Sequence, residues 1–241
     1  MIINVKYSSV ATLVLATQQS TDSAILNQSS LNNNIALFEE SGLCGFSGLS
    51  FRHFMNNMGK IKGINYLEVG TYCGSTLLSF LAYNLPNINS AYAVDNWSWN
   101  TEGSHPKDTF FKNLNYFFPD EVQQLKVIEH DCFSIDKSLI SEKINFYFYD
   151  GPHSEDDHYR AFTYYDSVLA DCFVTAIDDW NSPTVQLGTS RAFKDLGYEV
   201  VSSWEIDTSD LENWSVAPDA NWHCGTYIAV VQKNNLKLKG E

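Results

Sequence analysis

The stretch Glu68-Val69-Gly70-Thr71-Tyr72-Cys73-Gly74-Ser75-Thr76 sits between two patterns of different period. Before it, Tyr66 to Val69 reads as a buried strand. After it, Ser75 to Ala82 reads as a helix. A strand, a turn with two glycines and a helix open a βαβ unit, and parallel sheets are built from such units. Gly70 permits a tight turn, and Gly74 permits close approach of backbone to a ligand. The spacing is GxxxG, not the GxGxxG of dinucleotide sites. With Glu68 ahead of it the turn is read as a binding loop, the alternative being a glycine-rich turn used only for packing.

Outward from this loop the alternation continues. Ala91 to Val94, Leu125 to Ile128, Phe146 to Tyr149 and Phe173 to Ile177 read as strands. Between them fall helices at Lys107 to Phe118, Glu155 to Leu169 and Thr184 to Leu196, the last stopped by Gly197. Tyr198 to Ser202 and Thr226 to Val231 are two late strands with no helix between them. The pattern predicts an α/β fold, a Rossmann-like doubly wound, seven-stranded and mostly parallel sheet. An antiparallel hairpin closes its edge. Upstream, Phe51 to Met58 reads as a short helix with Ser50 as N-cap and Gly59 as stop. Residues 17–34, rich in Ser, Asn and Gln, read as a linker or loosely held arm. The division is an N-terminal extension and helical cap over residues 1–60, and one domain over residues 61–241.

Ligands of open α/β sheets bind outside the carboxyl ends of the strands, and the informative residues lie there. Asp95 ends the second strand. It can accept hydrogen bonds from both hydroxyls of a ribose, a role that strand order suggests without contact to the glycine loop. Asp131 and Cys132 follow the third strand, near the base of a bound nucleoside. Asp150-Gly151-Pro152-His153 and Asp178-Asp179 follow the next two strands. If those strands are neighbours, three carboxylates converge, and they repel unless a cation lies between them. Hard oxygen ligands favour Mg²⁺, Mn²⁺ or Ca²⁺ over zinc; the alternative is that Asp178 or Asp179 caps the next helix. His153 is a candidate general base at the same rim, since a histidine side chain can take up a proton near neutral pH. His158 is read as solvated or capping. Glu155, Asp156 and Asp157 suit a helix N-terminus.

The chain carries 29 Asp+Glu against 15 Lys+Arg, a net charge of −14. That excludes a general binder of nucleic-acid backbones, which needs a basic stripe. An apolar fraction of 44% excludes wholesale disorder. No apolar run is long enough to span a bilayer, and Met1 to Ala16 makes a poor signal peptide. Five widely spaced cysteines without a CxxC pair point to reduced thiols in a cytoplasm rather than a disulfide framework.

From Tyr66 to Val231 these motifs resemble class I S-adenosyl-L-methionine (SAM)-dependent methyltransferases. The Glu68 to Ser75 stretch is similar to the first motif of the metal-dependent O-methyltransferases related to catechol O-methyltransferase. Asp150-Gly-Pro-His and Asp178-Asp179 look more like the branch that methylates sugars on macrolides. The resemblance implies that Glu68, Gly70, Tyr72 and Ser75 line the methionine end of SAM, and that Asp95 holds the ribose. It places Trp97, Asp131 and Cys132 beside the adenine, and Mg²⁺ on Asp150, Asp178 and Asp179. It places His153 as base, because Pro152 stands where that branch often has an aspartate. The expected reaction is metal-assisted O-methyl transfer to a small-molecule or sugar hydroxyl. The six tryptophans, mostly in loops near the rim, could stack on the acceptor. The long connection Glu205 to Cys224 reads as functional. The N-terminal region could cover the site or make a homo-oligomer contact. A metal-independent methyltransferase and a non-catalytic SAM- or nucleotide-binding module remain as alternatives, with a nicotinamide oxidoreductase behind them.

Overall fold

Strands that alternate apolar residues to both faces need a covering layer on each side, and this chain supplies two. The computed structural model describes residues 10–33, 45–99, 105–206 and 222–234. Residues 1–9, Cys44, Trp214 and most of the 205–224 connection lie outside the described residues. In chain order the elements are α1 (Val10–Ile25), α2 (Leu49–Gly59), β1 (Ile64–Val69), α3 (Ser75–Leu81), β2 (Ile88–Asp95), α4 (Pro106–Phe117) and β3 (Leu125–Glu129). They continue with β4 (Ile144–Tyr149), α5 (Glu155–Thr163), β5 (Leu169–Ile177), α6 (Pro183–Leu196), β6 (Tyr198–Ile206) and β7 (Thr226–Lys233). The seven strands form one sheet in the order β3-β2-β1-β4-β5-β7-β6. Only β7 runs antiparallel to its neighbours β5 and β6. The expected α/β sheet with an antiparallel edge hairpin is therefore present.

The period-two alternation sorts the side chains into two cores. Tyr66, Phe146 and Phe148 face one way, against Phe51, Phe54 and Met55 of α2 and Leu77 and Phe80 of α3. Their neighbours Leu67, Tyr147 and Tyr149 face the other way, against Phe162 of α5 and Val185, Ala192 and Phe193 of α6. α2 thus shares a core with the sheet.

Register then levels the strand ends. Val69 pairs with Val94 on one side and Tyr149 on the other, and Tyr149 pairs with Ile177. The residues that follow these positions, Gly70, Asp95, Asp150 and Asp178, leave the sheet at one rim. The strand order reverses between β1 and β4, which is where such sheets open a crevice.

Four local expectations are corrected. Residues 17–25 are not a loose arm but the second half of α1. The Thr17, Ser20 and Thr21 hydroxyls donate back to the Leu13, Ala16 and Thr17 carbonyls at 2.8–2.9 Å. Their polarity is consumed inside the helix, so these residues can be buried. Gln18 accepts from Trp204 Nε1 at 2.8 Å, tying α1 to β6. The N-cap of α2 is Gly48 and its C-cap Lys60, not Ser50 and Gly59; Ser50 Oγ donates instead to Asn27 Oδ1 at 2.7 Å. The helix expected over Glu155 to Leu169 ends at Thr163, because the next segment is drawn into the sheet. There Ile144 N donates to the Val168 carbonyl, and Leu169 pairs with Ile144. His158 is not solvated; it is fully buried on α5. Among the described residues no helix is long and apolar enough to cross a membrane.

The start of α5 gives a direct check on capping. Ser154 is the N-cap, and its hydroxyl accepts from Asp157 N. Ser154→Ala is expected to cost about 1 kcal/mol, read as a lower urea midpoint at unchanged slope. An unchanged midpoint would remove the cap from the stability of this helix.

Candidate active site

The glycine loop is held from below and from the side. Gly70, Tyr72 and Gly74 all have positive φ, at 88°, 48° and 87°. A Cβ on Gly70 would meet the Asp150 carbonyl oxygen at 1.8 Å, so glycine there lets the ends of β1 and β4 lie together. A Cβ on Gly74 would meet the Phe110 ring at 2.7 Å. Gly74 therefore serves packing and the start of α3, and the expectation that it faces a ligand is corrected.

Asp95 does contact the loop, contrary to the reading from strand order alone. Its Oδ2 accepts from Thr71 N at 2.8 Å and Tyr72 N at 2.7 Å, and its Oδ1 accepts from Trp97 N at 2.6 Å. A carboxylate offers about four acceptor positions. Three are filled, which leaves one open. Trp97 is nearly buried against Phe110 and donates Nε1 to the Tyr72 carbonyl at 2.8 Å. It braces the loop and does not line the cavity; Trp99, two residues on, does.

Glu68 is also corrected. It has no exposed surface and lies beneath the loop, accepting from the Tyr66 hydroxyl and from Thr76 Oγ1, the latter at 2.9 Å. Burial pushes its carboxyl up to about 8, against the lowering effect of its hydrogen bonds. A carboxyl whose folded pKa is raised binds a proton in the native state that the unfolded chain has lost. Its contribution to stability is thus greatest below about 4.5 and is lost as pH rises to about 8. Glu68→Gln removes this titration. The expected result is a shallower fall in urea stability between pH 5 and 8 than in the wild type; parallel pH profiles would show that Glu68 titrates normally.

Over this scaffold opens a cavity of about 780 Å³, lined by residues from the ends of β1 to β5. It brings together Gly70, Tyr72, Ser75, Asp95, Asp131, Cys132, Asp150, His153, Asp178 and Asp179, as expected from the sequence. The Asp150 carboxyl is pushed well above the ordinary range by burial and then by Asp178 and Asp179. Asp178 is raised by burial and by Asp179. Neither Asp178 nor Asp179 is the N-cap of α6, which is Ser182. His153 Nε2 lies 3.3 Å from Asp179 Oδ2. Thr184 Oγ1 donates to the His153 carbonyl at 3.0 Å. Cys132 and Cys224 are both pushed up to about 12, chiefly by burial, so neither is a thiolate nucleophile at neutral pH. Among the described residues, no group of three or more His, Cys, Asp or Glu side chains is arranged to hold a metal ion. The three aspartates share one rim, but not as a ready ligand set.

Sequence reasoning missed Phe46, His130 and His223, which also line the cavity together with Trp99, one of the tryptophans expected near the rim. Phe46 and His223 come from loops with no periodicity to read. The tryptophans mostly serve packing. Trp180 stacks on Tyr227 at 4.2 Å and Trp222 lies in the core beside Phe51 and Phe54. Of the described tryptophans, Trp99 alone lines the cavity.

Residues 67–180 match a family model described as a methyltransferase domain. No curated protein matches the chain. Solved structures share its fold at low identity. A caffeoyl-CoA O-methyltransferase candidate from Staphylococcus aureus is 16% identical, with a TM-score of 0.55, covering 90% of this chain and 99% of that one. The O-methyltransferase TomG from Streptomyces achromogenes, involved in tomaymycin synthesis and solved in complex with SAM, is 15% identical. Its TM-score is 0.52, covering 90% of this chain and 89% of that one. An RNA methyltransferase candidate from Pyrococcus horikoshii is 15% identical with a TM-score of 0.52, covering 86% of this chain and 98% of that one. The domain match opens just ahead of the glycine loop and runs through the strand ends that line the cavity, so residues 67–180 are similar to a methyltransferase domain, and the solved structures share its fold.

Proposed function

We propose that this enzyme transfers the methyl group of SAM to a hydroxyl of a small molecule, with His153 as general base. The observation that carries the reading is the placement of His153 on the cavity rim, 3.3 Å from Asp179 and beside Asp150 and Asp178. A base oriented by a carboxylate is suited to removing a proton from an acceptor. SAM supplies a methyl group made electrophilic by its sulfonium. The cavity has the size for such a ligand, and the loop at Gly70 lines it. Tyr72 and Ser75 stand at the loop, and Asp95 has one acceptor position left. Asp131 and Cys132 stand beyond it. As the acceptor oxygen takes the methyl, its proton passes to His153, leaving S-adenosylhomocysteine and the methyl ether. Alignment of the reacting atoms in the cavity would supply much of the remaining rate.

The metal-assisted form is the finer part of this proposal. Asp150 and Asp178 offer hard oxygen donors in a site where they repel each other, which suits a divalent cation. Mg²⁺ commonly takes one or two carboxylates and keeps several waters, so two aspartates would suffice where three are not arranged to ligate. Bound there, the cation would lower the pKa of the acceptor hydroxyl. The metal-independent form needs only His153, held beside Asp179, to take the proton.

One experiment separates these. The protein, dialysed against EDTA, is assayed with tritiated SAM and a panel of phenols, vicinal diols and sugars, with and without Mg²⁺. S-adenosylhomocysteine is titrated in parallel by calorimetry. Binding with Mg²⁺-dependent turnover is the expected outcome. Equal turnover in EDTA removes the metal, and no binding of S-adenosylhomocysteine near millimolar concentration removes the SAM reading itself.

A further inference from the structure

One wall of the cavity comes from the segment just ahead of α2. Gly45, Phe46 and Ser47 line the cavity there, beside Ser75 and Thr76 at the start of α3. The segment lies directly on α3 and the glycine loop. A Cβ on Gly45 would meet Ser75 Oγ at 2.3 Å, and the Phe46 ring lies 5.6 Å from that of Tyr72. Arg52 stands behind this wall, at the fourth residue of α2, and is only 5% exposed. Its Nε donates to Ser47 Oγ at 3.0 Å, and its Nη2 lies 4.0 Å from where a Cβ on Gly45 would stand. A cation near a helix N-terminus is opposed by the helix dipole, so α2 itself does not favour the charge there. What the guanidinium faces is the wall.

Hydrogen bonding gives this wall a direction. Arginine only donates, so Ser47 Oγ is the acceptor of its bond. Ser47 Oγ and Ser75 Oγ are 2.8 Å apart and carry one hydroxyl hydrogen each. Their mutual bond uses one of these, whichever serine donates, and the other is left to donate elsewhere. Both serines line the cavity. A hydroxyl donor backed by a guanidinium is suited to an anion. The rest of the lining has the opposite sign: it holds Asp95, Asp131, Asp150, Asp178 and Asp179, and no Lys or Arg among the described residues. An anionic group on a bound ligand is therefore best placed against Ser47 and Ser75. SAM has one such group, the carboxylate of its amino-acid end.

We propose that Arg52 is a positioning residue for SAM: acting through Ser47 and Ser75, it holds the carboxylate of the amino-acid end against the wall at Gly45 to Ser47. This rests on the SAM reading of the cavity. It adds a recognition device that lies ahead of the matched residues 67–180, in the N-terminal part of the chain. The region before the sheet then has a part in the chemistry, since the position of the sulfonium follows from where the amino-acid end is held.

The test uses the full chain and two ligands, titrated by calorimetry. S-adenosylhomocysteine carries the amino-acid end; methylthioadenosine keeps the nucleoside and the thioether and lacks it. Arg52→Gln is expected to weaken S-adenosylhomocysteine by about tenfold or more, the scale of a lost charge-assisted hydrogen bond, and to leave methylthioadenosine within about twofold. Ser47→Ala is expected to act in the same direction by about threefold or more. Melting curves report whether each variant folds. Arg52 is buried, so Ser47→Ala, at a partly exposed position, decides the matter if Arg52→Gln does not fold. Two results overturn the proposal. Equal weakening of both ligands would make Arg52 and Ser47 supports of the fold alone, and unchanged S-adenosylhomocysteine affinity in a folded variant would remove them from recognition. A wild-type protein that does not bind S-adenosylhomocysteine sinks the SAM reading itself, and the inference with it.

Discussion

Gly70→Ala is expected to destabilise the protein by about 4 kcal/mol, at the upper end of single substitutions, and to lower its melting temperature by roughly 8–16 °C. Two costs add. An L-residue at the φ of 88° found here loses about 1–2 kcal/mol to the left-handed conformation. The larger cost is steric: the new Cβ would stand 1.8 Å from the Asp150 carbonyl oxygen. That atom is backbone, and the strand ends cannot part freely, because Asp150 N donates to the Val69 carbonyl at 2.9 Å. Gly63 provides the control. Its φ is 79°, but a Cβ there meets nothing within 4 Å. Gly63→Ala should therefore show the conformational cost alone. Equal melting temperatures for the two variants would mean that contact between β1 and β4 does not decide the role of Gly70.

For His153→Ala the expected effect is on rate rather than on folding. kcat should fall by about 10²–10⁴, the range for loss of a positioned general base, with affinity for S-adenosylhomocysteine near that of the wild type. The His153 side chain is 42% exposed, so removing it leaves no buried cavity and costs little stability. Its Asp179 contact and the Thr184 bond to its carbonyl fix the ring and the chain that carries it. A kcat within a few fold of the wild type under conditions where chemistry is rate-limiting would remove His153 as the base. A parallel loss of S-adenosylhomocysteine affinity would make it a binding residue instead.

Much of the fold was legible because its signals are local. The Tyr66 to Val69 strand, the Gly70 turn and the helix from Ser75 each follow from period and backbone freedom, and the observed elements begin or end within a few residues of expectation. Errors arose where distant chain decided the local state. Residues 164–168 have helical character, but pairing of Leu169 with Ile144 starts β5 there. Thr17, Ser20 and Thr21 read as linker until α2 and the sheet offer them a core to face. His158 reads as an exposed helical histidine; only the packing of α5 on Tyr149 and α6 buries it, and burial pushes its imidazole down to about 3.

The site divides in the same way. The sequence by itself determined that acidic residues end the strands, because Asp95, Asp150 and Asp178 each follow an apolar run and a strand's end needs no partner to be recognised. It determined the glycine loop and the acidic excess. Tertiary structure alone decided what each residue faces. Glu68 points under the loop into a core formed by Tyr66 and Thr76, while Trp97 turns to Phe110 and leaves Trp99 at the cavity. Phe46 and His223, far apart in the chain, come within 6.4 Å of each other. The physical reason is that a strand's two faces can be assigned from alternation, whereas direction in a loop depends on which hydrogen bonds and rings its neighbours offer, and those neighbours are supplied by the fold.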